Sequence, residues 1–171
     1  MKNIAVMLLF ILVSLFLSGC VDSSANKAIL VEYNQHNDTL NKDLENLSAV
    51  ENQWNYAVEI MPAGDYYTDK EVNELSELAR QYSNECDFVT AHNSNFKSFI
   101  ATNDAVLKDM DIDTYSLNKT ITDSEVRMSV NCEYMVESVE TAAQHTKSAE
   151  QRAILDEVVG LLGSFTKKVT L

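Results

Sequence analysis

From Val72 to Met110, apolar and small residues recur at steps of three and four without a slip: Val72, Leu75, Ala79, Tyr82, Cys86, Val89, Asn93, Phe96, Ile100, Asn103, Leu107 and Met110. A helix of 3.6 residues per turn places all of these on one face, whereas a strand would need alternation at every second residue. The stripe lasts about five heptads, the repeat of helices packed side by side in a left-handed bundle. No glycine or proline interrupts it, and the 171-residue chain holds only four glycines and one proline. Long helices are the structure such a chain sustains most readily.

The flanking segments follow the same rule. Ile29, Tyr33, His36, Leu40, Leu44, Leu47, Trp54, Val58 and Met61 form a second stripe, with Val50 and Glu51 sharing its one gap. They predict a first helix of about 36 residues, near 54 Å long. Pro62-Ala63-Gly64-Asp65 ends it, because a helix does not easily pass a proline and glycine permits the left-handed turn. Thr68-Asp69-Lys70-Glu71 is a capping box for the second helix. Residues 111–121 lose the period and gather turn formers, which predicts a loop or a short helical turn. Thr122-Asp123-Ser124-Glu125 reads as the next capping box, followed by Met128, Cys132, Met135, Val139, Ala142, Thr146, Ala149 and Ala153 along one face. The stripe then passes to Leu155, Val158, Leu162, Phe165 and Val169, and Ser148-Ala149-Glu150-Gln151 offers a third box. The expected fold is all-α: an antiparallel bundle of three long helices with coiled-coil-like packing, or of four if the last helix breaks near 146–150.

The N-terminus carries a different signal. Lys2 precedes an apolar run from Ile4 to Leu17, with Ser14 its only polar member. That run of about 14 residues is shorter than the roughly 20 a spanning helix needs. Leu17-Ser18-Gly19-Cys20 closes it, and this string resembles the lipobox of prokaryotic membrane lipoproteins. The resemblance implies that residues 1–19 are a signal peptide removed at Cys20. The cysteine would then be lipid-modified, with palmitate or a similar chain, and would hold the protein on the extracytoplasmic face of the cell membrane. Residues 20–24 become a short tether and 25–171 the bundle domain. Removing residues 1–19 takes away only Lys2, leaving 12 Lys and Arg against 26 Asp and Glu, a net charge of −14. Such a body repels phosphate backbones and anionic headgroups, so nucleic acid is not an expected partner and membrane contact is through the lipid.

The two remaining cysteines, Cys86 and Cys132, both fall on core stripes, which suits either a disulfide in an exported protein or two small buried thiols. If helix 2 ends at 109 and helix 3 opens opposite it at 123, Cys86 faces about residue 146. A bridge to Cys132 then needs helix 3 to lie some 14 residues, about 21 Å, further down helix 2. His36, His92 and His145 lie one on each long segment, and the hairpin register sets His36 opposite about residue 93. His36 and His92 are thus the candidate metal ligands, although a polar pair that fixes register is the commoner use and no Glu-x-x-His spacing occurs. Asp109, Asp111 and Asp113 begin like a calcium loop, but Thr114 and Thr120 stand where glycine and a bidentate glutamate belong. The acceptor triplets at Asn37, Asn46 and Asn118 matter only where a host glycosylates its exported proteins. Asp65, Tyr66 and Tyr67 form a candidate partner-binding tip, with the tyrosines alternatively folding back to close the end of the bundle.

No phosphate loop, nucleophile elbow, zinc-protease motif or Cys-x-x-Cys pair occurs, and the carboxylates alternate with Lys and Asn on outward positions. The expectation is an exported, lipid-anchored helical bundle without catalytic activity or cofactor, acting on another envelope or extracellular protein or as an envelope-structural element. The alternative is an extracytoplasmic bundle that binds a small molecule or metal at the seam of His36, His92 and Asn93.

Overall fold

The computed structural model describes residues 24–61 and 67–169, which form four helices: α1 (Ser24–Ile60), α2 (Asp69–Asp109), α3 (Thr114–Gln144) and α4 (Ala149–Val169). No strand occurs among the described residues, and the fold is the all-α bundle, with the last helix broken at 145–148. The segments assigned above to the signal peptide, to Cys20 and to Asp65 and Tyr66 of the tip lie outside the described residues. Among the described residues no helix is long and apolar enough to cross a membrane.

Chain direction alternates. α2 runs back along α1, α3 back along α2, and α4 back along α3, with α2 packed against all three others. The 21 residues of α4 rise about 31 Å, roughly half of what the 41 residues of α2 span. One half of the bundle therefore has four helices and the other three. The core divides in the same way. In the four-helix half, Leu47, Trp54, Tyr82, Cys86, Cys132, Met135, Leu155 and Phe165 belong to the larger apolar cluster. In the three-helix half, Leu40, Phe96, Phe99, Ile100, Leu107 and Ile121 form a smaller one.

Local chemistry sets the helix ends. The Thr68 box is closed in both directions: Glu71 N–H donates to Thr68 Oγ1 at 3.3 Å, and Thr68 N–H donates to Glu71 Oε2 at 2.6 Å. The far end of α2 is a Schellman turn. Asp111 N–H donates to the Lys108 carbonyl and Ile112 N–H to the Leu107 carbonyl, both at 3.0 Å, while Ile112 packs on the cluster that contains Leu107. Asp111 takes φ of 59°, the left-handed conformation that glycine usually supplies there.

The turn closes so quickly that α3 begins at Thr114, correcting the expected loop over 111–121. Asp113 caps it, accepting from Tyr115 N–H at 3.1 Å and Ser116 N–H at 3.0 Å. The Thr122 box does not form; Thr122 lies inside α3 and its hydroxyl donates to the Asn118 carbonyl. Asn118 is thereby helical too. At the break between α3 and α4, Ser148 Oγ accepts from Gln151 N–H at 3.4 Å, and Arg152 Nε donates to the Thr146 carbonyl at 2.9 Å.

The early start of α3 resets its register. Thr114 Oγ1 donates to Asp104 Oδ1 at 2.6 Å and Asn93 Nδ2 to Ser124 Oγ at 3.2 Å, while Tyr67 N–H at the other end reaches the His145 carbonyl at 3.1 Å. In this alignment Cys86 faces Cys132 rather than residue 146.

Candidate functional site

Three places gather chemistry-bearing side chains. The first is the α1–α2 seam in the three-helix half. His36 Nδ1 lies 3.1 Å from His92 Nε2, and Asp43 Oδ2 is 3.3 Å from His92 Nδ1, off the axis of a good hydrogen bond. The rings stack: His36 sits 4.9 Å from Phe96 at 7°, and 5.3 Å from His92 at 15°. Burial lowers the His36 pKa, the charge of His92 lowers it further, and Glu32 opposes both. Asn93, adjacent to His92, turns to Ser124 of α3. The seam is closed by its own side chains, and a shallow open groove lined by Glu32, His36, Asn95, Ser98 and Phe99 runs beside it. Among the described residues no three His, Cys, Asp or Glu side chains converge as a metal site.

The second place is the middle of the bundle, where Glu51 is nearly enclosed. Tyr82 Oη donates to Glu51 Oε1 at 3.2 Å, Asn131 Nδ2 donates to it at 2.6 Å, and the Arg127 guanidinium bonds the other oxygen. This cluster joins α1, α2 and α3. Its signal in the sequence was an acid on an apolar stripe, the position that Glu51 shared with Val50. Cys86 and Cys132 lie beside it, both completely buried, with their thiols not joined as a disulfide. A hydrogen bond to Cys132, then burial, push the Cys86 thiol far above the ordinary thiol range. Burial, with Cys86 and Glu51 nearby, likewise raises the Tyr82 phenol.

The third place is the end of the bundle at Tyr67, the one described residue of the predicted tip. Tyr67 is half-buried against the larger core, its ring 6.2 Å from that of His145. Val58, Met61, Leu75 and Tyr134 join it in lining a shallow groove between α1 and α3. Tyr134 also ends a stripe of outward apolar side chains one turn apart on α3: Val126, Val130 and Tyr134 are 53, 56 and 50 % exposed.

Of the aspartates that resembled a calcium loop, Asp111 makes the left-handed turn and Asp113 caps α3. Asp104, outside that segment, receives Thr114 and Lys108. The chain matches no protein-family model, no curated protein and no solved structure.

Proposed function

We propose that this protein is an exported, lipid-anchored helical bundle that works without catalysis, holding an interaction surface away from the membrane for another envelope or extracellular protein. The anchoring half of the reading rests on the lipobox-like string before Cys20. The interaction half is carried by the stripe of Val126, Val130 and Tyr134, which leaves three large apolar side chains about half exposed on one helix while the polar seam groups bond one another. Contiguous exposed apolar surface is what protein contacts use.

Fractionation of cells making the full chain or its Cys20→Ser variant tests the anchor. The full chain is expected in the membrane fraction and open to external protease, and the variant is expected to leave that fraction. An unchanged distribution would overturn the anchor. A photo-crosslinker at Val130 in intact cells tests the surface: one defined envelope partner is expected, and Val126→Asp should abolish its capture. No adduct, or capture indifferent to Val126→Asp, would overturn the interaction reading.

A second reading, a metal-binding bundle, has one specific observation in its favour. The 3.1 Å between His36 Nδ1 and His92 Nε2 is close to the span of two imidazole nitrogens on one cation at about 2.0–2.1 Å each. A rise of several degrees in melting temperature with zinc, lost in His92→Ala, would favour it over the first.

A further inference from the structure

We propose that Cys86 and Cys132 are joined by a disulfide that locks α2 to α3, a bond that rests on the export reading because it needs an oxidising compartment. The geometry argues for it independently of the compartment. The sulfurs belong to facing stripes of two adjacent helices, neither side chain has any exposed surface, and both lie in the same core cluster.

Bonds on both sides hold that register without help from sulfur. Asn93 to Ser124 and Thr114 to Asp104 pin α2 against α3 toward the 110–113 turn. On the other side Glu51 ties Tyr82, one turn before Cys86, to Asn131, the neighbour of Cys132. The thiols cannot slide apart while these ties persist. Cys20 is the only other cysteine in the chain, and the lipoprotein reading commits it to lipid. An exported chain then carries one pair of thiols, already placed opposite each other, where disulfides form and persist.

The chemistry also sets the order of events. The thiolate of one cysteine attacks the disulfide of an exported dithiol–disulfide oxidant, breaking its sulfur–sulfur bond and forming a mixed disulfide. The second cysteine displaces the oxidant's remaining sulfur. The two protein thiols are oxidised to one disulfide, the oxidant is reduced to a dithiol, and the two thiol protons pass to its sulfurs. Attack requires a thiolate with access to the oxidant. In the closed bundle the Cys86 thiol is sealed and held protonated. Exchange therefore precedes the closure of α2 onto α3, and the finished bond is shielded from reductants.

The test uses the full chain recovered from cell membranes. It is alkylated in denaturant without reductant, then reduced, alkylated with a second reagent and mapped by peptide. Cys86 and Cys132 should take only the second reagent, and the unreduced chain should be about 2 Da lighter than the reduced one. Reduction should lower the melting temperature by about 10 °C in the parent, and not at all in Cys86→Ala/Cys132→Ala. In parallel, reduced chain is refolded in a glutathione redox buffer. Free thiols in both arms would overturn the bond. Free thiols in the cell with a bond formed in the buffer would support the pairing and overturn the export reading instead.

Discussion

Removing the Glu51 carboxylate is the most direct way to ask what holds α1 to α3. The close backbone approach of α1 is to α2, and α1 reaches α3 through Glu51, which accepts from Arg127 and Asn131 while also taking the Tyr82 hydroxyl. Glu51→Ala leaves the phenol of fully buried Tyr82 without its acceptor, and a stranded buried donor costs about 1–3 kcal/mol. Asn131 is only half-buried and regains water, adding about 1 kcal/mol. The lost methylene adds about 1 kcal/mol more. Arg127, 53 % exposed against 12 % for its partner, passes its charge to solvent and contributes at most about 1 kcal/mol. The sum is about 3–6 kcal/mol, or roughly 10–20 °C in melting temperature for a domain of this size. Urea titration followed by the fluorescence of the single, fully buried Trp54 measures it, with the slope unchanged and the midpoint lowered. Glu51→Gln keeps the volume and one acceptor for Tyr82, so about half the loss is expected. A Glu51→Ala protein within about 0.5 kcal/mol of the parent would refute the reasoning, because the same donors would then be satisfied by water. So would a glutamine variant as unstable as the alanine.

Three further outcomes follow from the caps and the seam. Asp111→Gly should stabilise the protein by about 0.5–1 kcal/mol, since glycine takes φ of 59° without strain and the Asp111 side chain makes no hydrogen bond among the described residues; a loss of stability in the same urea titration would contradict this. Thr68→Ala removes the hydroxyl that receives Glu71 N–H and should cost about 1 kcal/mol, read from the thermal midpoint. The His36 pKa is depressed in the folded state, so the unfolded chain binds the proton more readily. The stability tied to neutral His36 is complete above its unfolded value of about 6.5 and is lost as pH falls below it toward the folded value. Glu32 offsets only part of this, so stability should fall more steeply from pH 7 to pH 5 in the parent than in His36→Phe, which keeps an aromatic ring against Phe96. Equal slopes would show that His36 is not the group responsible.

How much of this was legible depended on how each element announces itself. The α2 stripe and the Thr68 box are local and redundant, so sequence and structure agree there. The break before α4 was also readable, because Ser148 with Gln151 three residues later marks a helix start even without proline or glycine. The 111–121 segment misled because an aspartate occupies the left-handed position where glycine would have announced a Schellman turn, and because Asp and Asn are counted as turn formers whether or not they cap. A signal was nonetheless present: Thr114, Ile121, Met128, Met135 and Ala142 recur every seven residues and are all buried. With α3 starting too late, the facing of Cys86 and Cys132 was hidden. The approach of His36 to His92 was readable because the α1–α2 connection is short. The Glu51 cluster was readable only in part, since the acid stood on a stripe but nothing local tells that Tyr82 and Asn131 point at it.

The two halves of the bundle should also differ in motion. Between Ser24 and Thr39 no residue of α1 is buried, whereas Leu40, Leu47, Val50, Glu51, Trp54 and Ala57 beyond it are. That first stretch is held by half-buried Ile29, Tyr33 and His36 against the smaller core around Phe96. A helix of this length is marginal in water by itself. If those three contacts contribute about 1 kcal/mol each, the segment opens at about 3 kcal/mol, below the 5–15 kcal/mol of global unfolding. Hydrogen exchange should therefore find amides 28–38 at least about 30-fold less protected than amides 47–57. On the anchored reading this opening has a use. The loosest part of the bundle is the part nearest the lipid, and sixteen residues that span about 24 Å as helix reach about 53 Å when extended. The stiff four-helix half could then range over distance and angle without the anchor releasing. Uniform protection from residue 28 to residue 57 would mean that α1 is rigid to its start, and the leash would be limited to the few residues after Cys20.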